Sequence, residues 1–150
     1  MKKKQLKVFL GGTCNNSKWR EKLIKKLNID YFNPVVDDWD EEAQKREIKE
    51  RKISKFVLYT ITPLMKGVYS IAEVVDDSNK QPESTIFCIL QKDEDKKFDK
   101  EQLKSLNQVA KMVKENGAQV FSNLNDVAEY LNKQTHVNEE TNRMLKLSGM

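Results

Sequence analysis

Glu73 stands just inside a stretch that reads as the start of a helix, Gly67-Val68-Tyr69-Ser70-Ile71-Ala72-Glu73, a short turn beyond the apolar run Phe56 to Ile61. Near the positive end of a helix dipole the ionised carboxylate is favoured, and that is the state a nucleophile needs. The same position also suits an ordinary surface glutamate. Nucleophilic displacement needs such a carboxylate and a second group that helps the leaving group depart. Asp37, Asp38 and Glu47 are the acids that can supply that help, either protonated or through water.

Each remaining candidate has a chemical and a structural reading. Gly11-Gly12-Thr13 ends a short apolar run, so its backbone can approach a ligand and offer N–H groups to an anion, or simply make a tight turn. No Gly-Lys-Ser/Thr follows it, and the full dinucleotide fingerprint is missing. Asp37 and Asp38 can bind sugar hydroxyls or solvate a loop. Trp39 can stack on a base or pack at a sheet edge. Glu47 has Arg46, Glu50 and Arg51 as neighbours, so surface ion pairing is its default explanation. Tyr69 and Ser70 open the helix, where a serine caps as well as contacts ligands. Cys88 reads as a core residue and Cys14 as a turn residue; with His136 alone in the C-terminal region they make no zinc spacing. No metal and no cofactor is expected.

Strands and helices that alternate along the chain must position these side chains. Leu6 to Leu10, Ile29 to Phe32, Phe56 to Ile61, Thr85 to Leu90 and Ala118 to Phe121 read as strands. The third and fourth lack polar alternation, which predicts cover on both faces. A first helix is predicted on Trp19, Leu23, Ile24 and Leu27 with Ser17 as its cap, and a second from Asp40 to about Ser54. That second helix is weakly amphipathic, with Ala43, Ile48 and Ile53 as a narrow apolar stripe. A third runs from Tyr69 to about Asn79, and a fourth carries Leu103, Leu106, Ala110 and Val113, closed by Asn116-Gly117. Gln91 to Asp99 reads as an exposed loop. The last helix carries Leu124, Val127, Ala128 and Leu131, capped by Asn123 or Asn125. Past Lys133 the pattern fades, leaving residues 135–150 as a tail with Met144, Leu145 and Leu147 as candidates to dock.

Five alternations of strand and helix imply a three-layer α/β sandwich, Rossmann-like in build, with a five-stranded parallel sheet in the flavodoxin-like order 2-1-3-4-5. One domain over residues 1–134 is expected. Ligands in such sheets bind beyond the carboxyl ends of the strands, where strand order reverses, here between the first and third strands. Topology therefore gathers the Gly11 to Ser17, Asn33 to Trp39 and Thr62 to Tyr69 loops on one rim.

The 150 residues suit a single core. A net charge of +4 from 27 basic and 23 acidic residues is a mixed surface, not the footprint of a nucleic-acid binder. Met1-Lys2-Lys3-Lys4 reads as a solvated tail. No apolar run has membrane length, no signal peptide is read, and two cysteines fit a reducing cytoplasm.

Leu10-Gly11-Gly12-Thr13, Phe32-Asn33-Pro34 and the Gly67 to Glu73 segment resemble the corresponding segments of the nucleoside 2-deoxyribosyltransferase-like proteins, from Lys7 to roughly Leu90. The form resembled is a divergent branch with a Gly-Val-Tyr-Ser-x-x-Glu segment. The resemblance implies that Glu73 attacks the anomeric carbon of a nucleoside or nucleotide and displaces the base. The glycosyl-enzyme ester then passes its sugar to another base or to water. It implies a supporting role for Glu47, which falls where the family has a second acid, usually aspartate. It further implies that the first loop holds base or phosphate, with Thr13 and Ser70 as the matching hydroxyls. Typical members complete a neighbour's site with C-terminal groups, so a homo-oligomer is expected. They also carry an aspartate six residues before the nucleophile, where this chain has Gly67. That departure leans away from base exchange and toward hydrolysis, a phosphorylated substrate or an altered base.

Other functions meet the same residues. A nucleotide-binding or sensing module would keep the pocket without turnover, and Gly67 gives that weight. Cleavage of a nicotinamide N-glycosidic bond would use the same glutamate. A flavodoxin-like redox protein would have a phosphate loop richer in Ser and Thr than Gly12-Thr13-Cys14-Asn15-Asn16-Ser17.

Overall fold

Apolar runs without polar alternation become the centre of the sheet, and the weaker runs become its margins. The computed structural model describes residues 4–147, with side chains for all of these except 136–142, 146 and 147. The elements are β1 (Gln5–Gly12), α1 (Trp19–Ile24), β2 (Asp30–Phe32), α2 (Glu41–Ile53), β3 (Ser54–Ile61) and α3 (Tyr69–Lys80). They continue as β4 (Thr85–Ile89), β5 (Lys92–Asp93), β6 (Lys96–Lys97), α4 (Lys100–Glu115), β7 (Gln119–Phe121) and α5 (Leu124–Leu147). The main sheet is parallel throughout, in the order β2-β1-β3-β4-β7. This is the flavodoxin-like order expected from the sequence. Its fifth strand is β7, because β5 and β6 form a separate antiparallel hairpin.

Successive strand residues point to opposite faces, so β3 feeds two cores. Leu58 joins Val8, Leu10, Ile86 and Cys88 beneath Trp19 and Leu23 of α1 and Val127 and Leu131 of α5. Tyr59 joins Phe9, Val57 and Phe87 beneath Val74 of α3 and Leu106 and Val113 of α4. Each fully buried side chain of this size contributes roughly 1.5–3 kcal/mol by leaving water. Local signals hold at several ends. The Asp40 side chain accepts from the Ala43 N–H at 2.8 Å, and Asn123 Oδ1 accepts from the Asp126 N–H at 2.8 Å. Gly117 takes the positive φ, 110°, that closes α4.

Four expectations are corrected. Strand β1 does not stop at Leu10 but runs through Gly12, pairing Gly11 with Tyr59 and Gly12 with Thr60. Ser17 is not the N-cap of α1: Lys18 holds that place, while Ser17 Oγ donates to Asp93 Oδ2 at 2.5 Å. The Gln91 to Asp99 segment is not a wholly exposed loop, since the hairpin turns Asp93 inward to meet Ser17. Helix α5 does not end near Lys133 but continues to Leu147, past the reach of the apolar pattern. Met144 and Leu145 on this extension are exposed. Residues 1–3 of the basic start, residues 148–150, and the side chains of His136 and Leu147 lie outside the described residues.

Candidate active site

The site begins with two glycines that have different duties. At Gly12, φ is +117° and a Cβ would lie 2.1 Å from the Thr60 carbonyl oxygen, so no other residue fits. At Gly11, a Cβ would lie 2.8 Å from the Tyr59 ring, so its smallness serves the packing of that ring. Thr13 then crosses to β3. Its N–H donates to Thr60 O at 2.9 Å, and its Oγ1 accepts from the Thr62 N–H at 2.9 Å. The chain turns through Asn15 and Asn16 with φ of 42° and 68°, a region asparagine tolerates better than most residues.

Helix α1 fixes this loop from behind. Trp19 Nε1 donates to Thr13 O at 2.8 Å, and Arg20 Nη1 donates to the same oxygen at 2.6 Å. Arg20 also donates to Leu10 O at 2.9 Å and Gly12 O at 3.2 Å. A trans peptide sets its N–H opposite its C=O. With the Thr13 carbonyl drawn toward α1, the Cys14 N–H points away from α1.

Across from this loop, Met65 N–H donates to Thr62 O at 3.0 Å, closing the turn that carries the chain from β3 to α3. Helix α3 starts with no side-chain cap and no acid in its first turn, so Ser70 does not cap it. Between the two loops lies a cavity of about 210 Å³. It is lined by Gly12, Thr13, Gly67, Tyr69 and Ser70 from among the sequence-predicted residues, together with Cys14, Asn15, Ile61 and Met65. Gly67 needs no special backbone conformation, and a Cβ there would meet nothing within 4 Å. A larger hollow of about 500 Å³, between α1, the β5–β6 hairpin and the start of α5, gathers none of the predicted residues.

Glu73 lies one helical turn beyond Tyr69 and Ser70 and faces α2. It is not a surface glutamate: its side chain is 11% exposed, with Oε2 3.6 Å from Arg51 Nη1. Arg51 is in turn bound to Asp77 through Nη2 to Oδ1 at 3.0 Å and Nε to Oδ2 at 3.2 Å. Its Nε also donates to Tyr59 Oη at 2.9 Å, and Tyr59 Oη donates to Asp77 Oδ2 at 2.5 Å. Burial raises the Glu73 pKa to about 7, Arg51 opposes the rise, and the negative charges of Glu47 and Asp77 add to it. The ionised state expected from the helix dipole is therefore disfavoured in the folded protein. Desolvation and like charge outweigh the dipole. Burial, followed by Asp77, also pushes the Tyr59 phenol up, so it stays a neutral donor.

Glu73 and Gly11 do not line the cavity, and the remaining predicted residues also sit outside it. Glu47 is half-buried on the inner side of α2 and accepts from Trp39 Nε1 at 3.4 Å. It makes none of the surface ion pairs its neighbours offered: Arg46 lies over the Phe32 ring at 5.4 Å, and Glu50 pairs with Lys7 at 2.5 Å. Trp39 is 60% exposed, so it does not pack at the sheet edge. Asp37 and Asp38 are exposed, and Asp38 lines an open groove along α2 instead of the cavity. Sequence reasoning passed over Arg20, Arg51, Tyr59 and Asp77. A signal was present, because Glu47 and Arg51 stand four apart on one helix, as do Glu73 and Asp77 on another.

These features define an α/β protein of flavodoxin-like topology with a cavity and a shielded carboxylate at the carboxyl rim of its sheet. The model of the nucleoside 2-deoxyribosyltransferase-like family matches residues 5–92, and the chain belongs to that family. No curated protein and no solved structure matched. Membership carries, at family level, a nucleoside-related glycosyl-transfer function and a small-molecule nucleoside substrate. The matched span includes both loops of the cavity, Glu47, Arg51 and Glu73. No helix among the described residues is long and apolar enough to cross a membrane.

Proposed function

We propose that the protein is an N-glycosidic-bond enzyme acting on nucleosides or nucleotides, with Glu73 as its nucleophile. The observation that carries the reading is the setting of this carboxyl, 11% exposed, 3.6 Å from Arg51 and one turn beyond the Tyr69 and Ser70 that line the cavity. In the first displacement a Glu73 oxygen bonds to the anomeric carbon while the carbon–nitrogen bond breaks. The electron pair leaves on the base nitrogen, which takes a proton from water. In the second, water or another base attacks the same carbon and gives up its proton to the Glu47 carboxylate or to solvent, and Glu73 departs as a carboxylate. A carboxyl with a pKa of about 7 can serve both as attacking and as leaving group near neutral pH.

Gly67 supports hydrolysis over base exchange. The cavity wall carries no side chain there, and the space around it leaves room for water. The reading is tested with nucleosides, deoxynucleoside monophosphates and nicotinamide dinucleotide, following free base by chromatography. Wild type releases base from at least one deoxynucleoside or its monophosphate. Glu73→Gln and Glu73→Ala lower that rate by about a thousandfold or more while circular dichroism is unchanged. Undiminished release in either variant removes Glu73 from the chemistry, and binding without release by wild type makes the protein a nucleotide-binding module.

A further inference from the structure

Arg51 is held from two sides before it reaches Glu73. Asp77, 4% exposed, takes two of its N–H groups, and Tyr59, fully buried, takes a share of Nε and locks the Asp77 carboxylate with its own hydroxyl. What remains for Glu73 is Nη1 at 3.6 Å, an ion-pair distance longer than the roughly 2.7–3.2 Å of a hydrogen bond. The titratable groups around Glu73 are Arg51 and Glu47 from α2, Tyr59 from β3, and Asp77 from α3, with Asp76 3.8 Å from Arg51 Nη2 on the outer side. One guanidinium thus faces several carboxylates, and geometry assigns most of it to Asp77.

Building on the nucleophile reading above, we propose that Arg51 is a positioning residue for Glu73 and that the buried Asp77–Tyr59 pair sets how much of its charge Glu73 receives. The arrangement orients the Glu73 carboxylate without tying it into a short bond, so its lone pairs stay available for attack. It also suits the next state. When Glu73 becomes a neutral ester, Arg51 still has Asp77, and no buried cation is left alone.

The coupling can be read without any substrate. Glutamate labelled with ¹³C at the carboxyl gives a Glu73 resonance, assigned by its loss in Glu73→Gln, whose titration midpoint is followed by NMR. Asp77→Asn keeps an acceptor for the Tyr59 hydroxyl, removes one negative neighbour and frees the guanidinium; the Glu73 midpoint falls by about one pH unit. Arg51→Met moves it up by a similar amount. If Arg51→Met does not fold, Asp77→Asn carries the test alone, and a midpoint there that stays put or rises overturns the proposal. With an active substrate in hand, Arg51→Lys lowers kcat tenfold or more with KM within about threefold, and a loss confined to KM overturns it. The two readings fail separately. Midpoints that move as stated in a protein releasing no base uphold the coupling and remove the nucleophile reading. Midpoints that do not move in a protein whose activity depends on Glu73 remove the coupling alone.

Discussion

Arg20, beneath α1 on one face of the sheet, gives its guanidinium to three neutral carbonyls, those of Leu10, Gly12 and Thr13. Arg51, on the α3 face, gives its guanidinium to the Asp77 carboxylate and the Tyr59 hydroxyl, with Glu73 in reach. The electrostatic outcomes are opposite. Burial lowers the Arg20 pKa despite Cys14 and Glu47, because dipoles satisfy its N–H groups without cancelling its charge. For Arg51 burial is outweighed by Tyr59, Asp77 and Glu73, and the pKa is raised. One arginine therefore shapes a loop and the other sets charge at a carboxyl group, and both act on the same rim.

That contrast can be broken most forcefully at Arg51. Arg51→Met leaves Asp77 buried without its cation and costs about 3–5 kcal/mol, measured as a shift in denaturant midpoint at constant slope. Arg20→Met removes donors from three carbonyls but strands no charge, and costs about 2–4 kcal/mol. Trp19 still holds the Thr13 oxygen in that variant, which keeps the loss at the smaller figure. A larger loss at Arg20 than at Arg51 would reverse the comparison.

A smaller effect sharpens the account at Glu73 itself. In the unfolded chain its carboxyl titrates near 4.5 and in the folded protein at about 7, so between those values the folded state holds a proton that the unfolded state has released. Stability contributed by this group falls as pH rises through that window. Glu73→Gln lacks the penalty. It is more stable than wild type by about 2 kcal/mol at pH 8, and the two unfolding curves converge below the unfolded pKa. A variant equally stable at both pH values would mean that Glu73 titrates as an exposed carboxylate.

The sheet was legible because Phe56 to Ile61 and Thr85 to Leu90 are continuous apolar runs, and because the chain alternates strand with helix. The rim followed from topology, and it brought Gly12, Thr13, Gly67, Tyr69 and Ser70 to one cavity. The expected stripe of α2 holds only in part: Ala43 and Ile53 are half-buried, but Ile48 is 49% exposed, and Glu47, Glu50 and Arg51 share the inner side. A helix that breaks the apolar rule beside a ligand rim points to function. Tyr59 was hidden inside an apolar strand, where it looked like core and is also a donor to Asp77. The hairpin at Asp93 was too short to show a period, and α5 runs past the reach of the apolar pattern, with Arg143, Met144 and Leu145 exposed.

The central claim is that Glu73 forms a covalent bond to the sugar. Acid quenching during turnover, digestion and mass mapping test it directly. A covalent mechanism leaves the mass of the sugar on the peptide that contains Glu73 and no such adduct in Glu73→Gln. A sugar carried by a different residue, or full turnover by Glu73→Gln, would contradict it.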